Sequence, residues 1–253
     1  MKIGIMGAML EEVSALLQTM QLTTKISVAE RDYYSGKLDN IDSTIVFSRW
    51  GKVAAATTAT MLINHFKSDL IIFTGVAGAI SKQLNIGDIV ISKNLVQHDM
   101  DARPLTSKFE IPLFGKCYLE ADQKLRSVAT KASNKFIQEK MHEIFSHETL
   151  SSFGINNPKV YEGTIATGDQ FINDPKKAAE LSSQVENCLA VEMEGAAVAQ
   201  VCAEHNVPFI VLRTISDKAD HSAAIDFSKF VSSIAAPYAQ GIIQHMLAEL
   251  KDW

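Results

Sequence analysis

The chain is poor in the residues that announce special chemistry. It has three cysteines in 253 residues, Cys117, Cys188 and Cys202. They are odd in number, far apart and form no C-x-x-C, which argues against a disulfide framework or a zinc knuckle. Cys188 and Cys202 sit in apolar runs and read as small buried hydrophobes. Six prolines and 13 glycines are too few for a collagen-like or linker-rich chain. Neither sign of charge dominates: 24 basic residues face 29 acidic ones, a net charge of −5. A disordered tail or a nucleic-acid coat would need a stronger imbalance. No apolar run approaches the roughly 20 residues of a membrane-spanning helix. G-x-G-x-x-G, G-x-x-x-x-G-K-[ST] and G-x-S-x-G are all missing, which disfavours dinucleotide, P-loop and serine-hydrolase sites. Glu11 and Glu12 follow the first apolar stretch at once, with no small-residue cleavage site, so a cytoplasmic protein is expected rather than a secreted one.

Apolar material is plentiful. At 47% hydrophobic residues the chain can bury a substantial core, in one or at most two domains. Short β-rich runs alternate with helical patterns. Strands are predicted at Lys2–Ala8, Lys25–Leu38, Ile41–Ser48, Asp69–Thr74, Asp88–Gln97, Lys159–Thr167, Cys188–Glu192 and Pro208–Ser216. Helices are predicted at Glu11–Met20, Gly51–Phe66, Ala121–Phe145, Pro175–Gln184, Gly195–His205 and Asp226–Leu250, the last kinked at Pro237. A loop is expected from residue 98 to about Tyr118. The alternation predicts an α/β three-layer sandwich, a central mixed sheet with helices on both faces.

In open α/β sheets ligands bind beyond the carboxyl ends of the strands. Five predicted ends carry Gly, acid or Arg: Gly7–Glu12, Thr74–Gly78, Gly168–Asn173, Val191–Gly195 and Arg213–Asp217. Each has a plainer reading. Glu11 and Glu12 suit a first helical turn, Glu194 and Asp217 suit helix caps, and Gly75 and Gly78 suit turns. Arg213 is harder to dismiss, because a guanidinium inside an apolar strand needs a partner. His98-Asp99-Met100-Asp101 carries ligand-type residues. No second cluster completes a metal site, so a loop-anchoring role is favoured and no metal is expected.

At these strand ends the chain resembles a known family. The segments are Met1–Val13 (MKIGIMGAMLEEV), Gly51–Ala56 (GKVAAA), Thr74–Gly78 (TGVAG), Gly87–Ile89 (GDI), His98–Asp101 (HDMD), Gly168–Asn173 (GDQFIN), Val191–Ala196 (VEMEGA) and Arg213–Asp220 (RTISDKAD). They are similar, in order and spacing, to the bacterial 5′-methylthioadenosine/S-adenosylhomocysteine nucleosidases of the nucleoside phosphorylase superfamily. The resemblance covers residues 1–253 and implies a single nucleoside phosphorylase-like domain, a homodimer and no cofactor. It implies Glu12 as the base that activates water and Asp217 as the acid that protonates adenine N7. Glu194 matches the residue holding the ribose hydroxyls, with Met193 under the sugar. Phe171 and Ile172 match the adenine site, and Ala77 and Gly78 fall in the motif beside it. Ser216 and Arg213 match residues that orient the acid and the water side. Met9, Trp50 and Phe227 fall where the family lines the 5′-thio pocket. Leu105, with Phe109 and Pro112, matches a segment supplied by the second subunit.

The chemistry asks for these types. Cleaving a ribose–adenine bond builds positive charge on the sugar and negative charge on the base, which suits one carboxylic acid and one carboxylate. A phosphorylase of the same fold is the alternative. It must bind phosphate, whereas Glu12 would repel phosphate and Val76 offers no hydroxyl. Val76 and the pair Arg49-Trp50 depart from the family pattern, and Arg49 is a candidate for an anionic 5′ substituent. A non-catalytic nucleoside-binding protein would not need both Glu12 and Asp217. 5′-Deoxyadenosine and aminodeoxyfutalosine share the adenosine part and are further candidate substrates.

Overall fold

The computed structural model describes residues 1–252. Its strands are β1 (Lys2–Gly7), β2 (Gln21–Val28), β3 (Arg31–Leu38), β4 (Ile41–Phe47), β5 (Leu70–Phe73), β6 (Val76–Ala79), β7 (Ile89–Gln97), β8 (Tyr118–Glu120), β9 (Val160–Thr167), β10 (Cys188–Glu192) and β11 (Phe209–Asp217). The helices are α1 (Leu10–Thr19), α2 (Lys52–Asn64), α3 (Gln123–Lys135), α4 (Met141–Ile144), α5 (His147–Ser152), α6 (Pro175–Gln184), α7 (Gly195–His205), α8 (Ala223–Phe230) and α9 (Ala236–Glu249).

All these strands join one mixed sheet, in the order β2-β3-β4-β1-β5-β11-β6-β10-β9-β7-β8. The central strands β1, β5, β10 and β11 are almost wholly buried. That is what a strand with helices on both faces requires, and it explains why these strands read as continuous apolar runs rather than alternating ones. α1 and α3 pack on α9, and α2 packs on α7. The expected α/β sandwich is what the chain forms.

Part of the sheet closes on itself. β11 pairs in parallel with β5 through Phe209–Val211 and with β6 through Thr214–Asp217, and antiparallel with β7 through Leu212–Thr214. Since β6 pairs with β10, β10 with β9 and β9 with β7, these five strands form a ring. β11 is its seam, and it carries the buried Arg213, Ser216 and Asp217.

Several elements differ from the sequence expectation. Lys25–Leu38 is two strands, turning at Ala29-Glu30, where both residues have positive φ. Residues 76–79 form a strand of their own, because β11 and β10 supply backbone partners that no local pattern reveals. The expected loop ends in β8, and α5 follows the helix that was expected to end at Phe145. The two long helices are each interrupted by a wider turn, at Phe136–Lys140 and at Val231–Ala235. The second stands just before Pro237, so the expected kink takes the form of a π-type turn ahead of a residue with no N–H to donate.

Gly241 lets α9 pack closely on Phe136. A Cβ there would overlap the ring of Phe136, which is fully buried and has no room to retreat. Gly241→Ala gains about 1 kcal/mol of helix propensity but overpacks the core by up to about 3 kcal/mol. The expected net result is a loss of roughly 2 kcal/mol in a urea unfolding titration; an unchanged or higher midpoint would contradict this packing.

Candidate active site

β1 ends at Gly7, and α1 begins three residues later. Glu12 is the third residue of α1, so its side chain folds back over the helix start. Its Oε2 accepts the Ala8 and Met9 backbone N–H groups at 2.6 and 3.0 Å, and its Oε1 accepts that of Val76 at 3.1 Å. The helix-start reading and the site reading of this residue therefore both hold: Glu12 caps α1 and also lines the cavity. Gly75 permits the approach, since a Cβ there would lie 2.7 Å from Glu12 Oε1. Burial raises the Glu12 pKa above the ordinary carboxylate value, against the opposing pull of Arg213 and three N–H groups.

Asp217 closes β11. Its Oδ2 accepts from Ser216 Oγ at 2.8 Å and its Oδ1 from the Ala219 backbone N–H at 2.9 Å. Burial raises its pKa too, with smaller contributions from Asp226 and Asp220. A Cβ on Gly78 would lie 2.8 Å from Asp217 Oδ1, so only glycine leaves this carboxyl its space. Glu194 follows β10 at the start of α7, and its side chain makes no cap. Its Oε1 instead accepts the Gly51 backbone N–H at 2.7 Å, from the far end of the sequence. Burial, and then the neighbouring charge of Glu192, push its pKa up to about 8.

These acids line one cavity of about 570 Å³, counted with its open mouth. Met9, Trp50, Ala77, Gly78, Phe171, Ile172, Met193, Ser216 and Phe227 line it as well. The mouth is aromatic. Phe227 meets Trp50 edge-on at 6.3 Å and Phe171 edge-on at 5.8 Å, and Trp50 and Phe171 are 59% and 44% exposed.

Three expectations change. Arg213 does not line the cavity; it is 1% exposed and lies behind it. Its Nη2 pairs with Glu192 Oε2 at 2.6 Å, its Nη1 donates to the Leu212 and Phe73 carbonyls, and its guanidinium lies 4.1 Å from the centre of the Phe73 ring. Arg49 turns toward Glu30, with its Nη1 3.3 Å from the carboxylate. Phe109 packs into its own chain's second apolar cluster, so it is not free to reach a neighbouring subunit. Leu105 lies outside the cavity and is 89% exposed.

Glu192 is the functional residue that sequence reasoning missed. Besides Arg213 it accepts from Thr167 Oγ1 and from the Glu194 and Gly195 backbone N–H groups. The signal was available: Glu192 ends an apolar strand, as Arg213 sits within one, and two such charges need each other. His98-Asp99-Met100-Asp101 holds loops, through Asp99 on Lys52 and Asp101 on Arg103. Among the described residues no group of three or more His, Cys, Asp or Glu is placed to hold a metal ion.

The phosphorylase superfamily model matches residues 2–248. A 5′-methylthioadenosine/S-adenosylhomocysteine nucleosidase of Anoxybacillus flavithermus is 36% identical over 251 residues, covering 99% of both chains. The chain belongs to this nucleosidase family of the phosphorylase superfamily. An aminodeoxyfutalosine nucleosidase of Campylobacter jejuni is 35% identical over 244 residues, covering 96% of this chain and 97% of that one. The solved S-adenosylhomocysteine nucleosidase of Streptococcus pyogenes, in complex with 5-methylthiotubericidin, superposes with a TM-score of 0.85 at 34% identity, covering 99% and 97% of the two chains. The family assignment fits a cavity with acids at its floor and aromatics at its mouth.

Housing these acids costs stability in a way that pH reveals. The unfolded chain releases the Glu194 proton near 4.5, whereas the folded chain keeps it up to about 8. The folded state is thus favoured at low pH, and this contribution is lost as pH rises from 4.5 to about 8. Glu194→Gln keeps the acceptor for Gly51 and removes the titration. Its melting temperature is expected to exceed that of the wild type above pH 8 and to differ from it by little at pH 4.5. Equal melting curves at both pH values would contradict the raised value.

Proposed function

We propose that the chain hydrolyses the N-glycosidic bond of 5′-methylthioadenosine and S-adenosylhomocysteine, releasing adenine and the 5-thioribose product. One observation carries the choice of water over phosphate. Three backbone N–H groups, of Ala8, Met9 and Val76, converge at the cavity floor in the way that commonly binds an anion. Here the Glu12 carboxylate occupies all three. Phosphate entering there would lose those donors and meet a negative charge. Water meets a base instead.

In this reading Glu12 takes the proton from the attacking water, and Asp217, kept protonated above the ordinary range by burial, donates to the departing adenine. Ser216 aims the Asp217 carboxyl, and Phe171 and Ile172 hold the base. Glu194 binds the ribose hydroxyls, with Met193 beneath the sugar. Positive charge developing on the sugar is met by the acidic floor. Arg213 touches no substrate; it neutralises Glu192 and lowers the cost of ionising Glu12. Met9, Trp50 and Phe227 receive the 5′ substituent. The Campylobacter jejuni relative, an aminodeoxyfutalosine nucleosidase, supports aminodeoxyfutalosine, which shares the adenosine part, as a second substrate.

The chain acts as a single nucleosidase domain in a cytoplasmic homodimer, with Leu105 passing to the neighbouring subunit's pocket. Its exposure leaves it free to do so. No helix among the described residues is long and apolar enough to cross a membrane.

Purified protein is expected to release adenine from methylthioadenosine in phosphate-free buffer, at a rate unchanged when phosphate is added. Glu12→Gln and Asp217→Asn are each expected to lose about 10²–10⁴-fold in kcat while still binding the nucleoside. Adenine released only with phosphate, alongside a sugar 1-phosphate, would move the assignment to a phosphorylase.

A further inference from the structure

The Gly51 N–H that serves Glu194 belongs to a segment with an awkward conformation. Gly51 has φ +92°, and the preceding Arg49 is also left-handed at +70°. Glycine relaxes the first strain, yet nothing in the local sequence obliges the Gly51 N–H to point at Glu194. Three residues from three separate segments fix it in a closed ring. Lys52 Nζ, from the first turn of α2, pairs with Asp99 Oδ1 at 2.6 Å, beyond the end of β7. Asp99 Oδ2 accepts the Asp169 backbone N–H at 2.9 Å, beyond the end of β9. Asp169 Oδ1 then accepts the Lys52 backbone N–H at 2.8 Å, which closes the ring.

The ring is anchored from behind. Lys52 Nζ also donates to Gln97 Oε1 at 3.2 Å, and Gln97 Nε2 donates to Gln200 of α7, the helix that Glu194 opens. Lys52 and Asp99 are about four-fifths buried, so their pairing is sheltered from the screening that weakens surface ion pairs. A Cβ on Gly51 would lie 3.0 Å from Asp169 Oδ1, so the ring has no slack on that side.

We propose that Lys52, Asp99 and Asp169 form a positioning clamp that presets the Gly51 N–H against Glu194, and so orients that carboxyl group for the ribose hydroxyls. None of the three lines the cavity. The proposal rests on the reading of Glu194 as the hydroxyl-binding residue. Without the clamp the first turn of α2 is free to move, Glu194 loses its one backbone donor from outside its own loop, and its carboxyl group is no longer pre-oriented. The cost falls on substrates that carry both ribose hydroxyls.

The test compares methylthioadenosine with its 3′-deoxy analogue in wild type, Lys52→Met, Asp99→Asn, Lys52→Arg and Glu194→Gln. Melting temperatures confirm that each variant folds. Lys52→Met and Asp99→Asn are expected to lose about tenfold in kcat/KM on methylthioadenosine, the scale of one lost orienting hydrogen bond, and under about twofold on the 3′-deoxy analogue. Lys52→Arg restores most of the loss. A loss of equal size on both nucleosides, or no loss, overturns the clamp. Glu194→Gln gives a separate check: if wild type and Glu194→Gln both treat the two nucleosides alike, the reading of Glu194 itself fails, and the clamp with it.

Discussion

A single guanidinium sits among more buried carboxylates than it can neutralise. Arg213 is held by Glu192 at 2.6 Å and by carbonyls of β5 and β11, with the Phe73 ring beneath it. Glu12, Glu194 and Asp217 lie around the adjoining cavity, and each has its pKa raised first by burial. Removing any charged group from water is expensive unless it is paired. With one cation committed to Glu192, burial favours the protonated forms of Glu194 and Asp217, while Arg213 and three backbone N–H groups pull Glu12 back toward its ionised form. That excess is what an acid–base glycosidase site needs, because one carboxyl must still have a proton to give while another takes one.

The fold exists to sustain this arrangement. The ring of β6, β7, β9, β10 and β11 brings together strand ends that are distant in sequence. β11 contributes the arginine, the serine and the acid, and β10 contributes Glu192 and leads into Glu194. β1 leads into Glu12, and β6 provides the Val76 N–H that holds it. Glycines at 75 and 78 keep the space beside Glu12 and Asp217 open. None of these acids depends on a long flexible reach, which keeps the entropic cost of orienting them low.

Much of this was legible in the sequence, because a buried parallel strand announces itself as an apolar run and its polar end stands out against that run. Glu12, Glu194 and Asp217 stand at such ends, the family resemblance singled them out as site residues, and they do share a cavity. What stayed hidden depends on pairing across the fold. β6 is four residues long and is a strand only because β10 and β11 flank it. The Lys52–Asp99–Asp169 ring joins residues 47 to 117 positions apart, partly through backbone N–H groups that sequence patterns do not display. Arg213 was recognised as needing a partner, but the motif that contains Glu192 drew attention to Glu194, two residues on.

The central claim is that this cavity keeps protons on carboxyls that water would have stripped. The most direct measurement is a carbon-13 NMR titration of protein labelled at the Asp and Glu carboxyls, with Glu12→Gln, Glu194→Gln and Asp217→Asn used to assign the signals. The account predicts that Glu194 titrates near 8, and that Glu12 and Asp217 titrate above the ordinary 4.5 and 3.8. Three signals titrating at or below their ordinary values would contradict it.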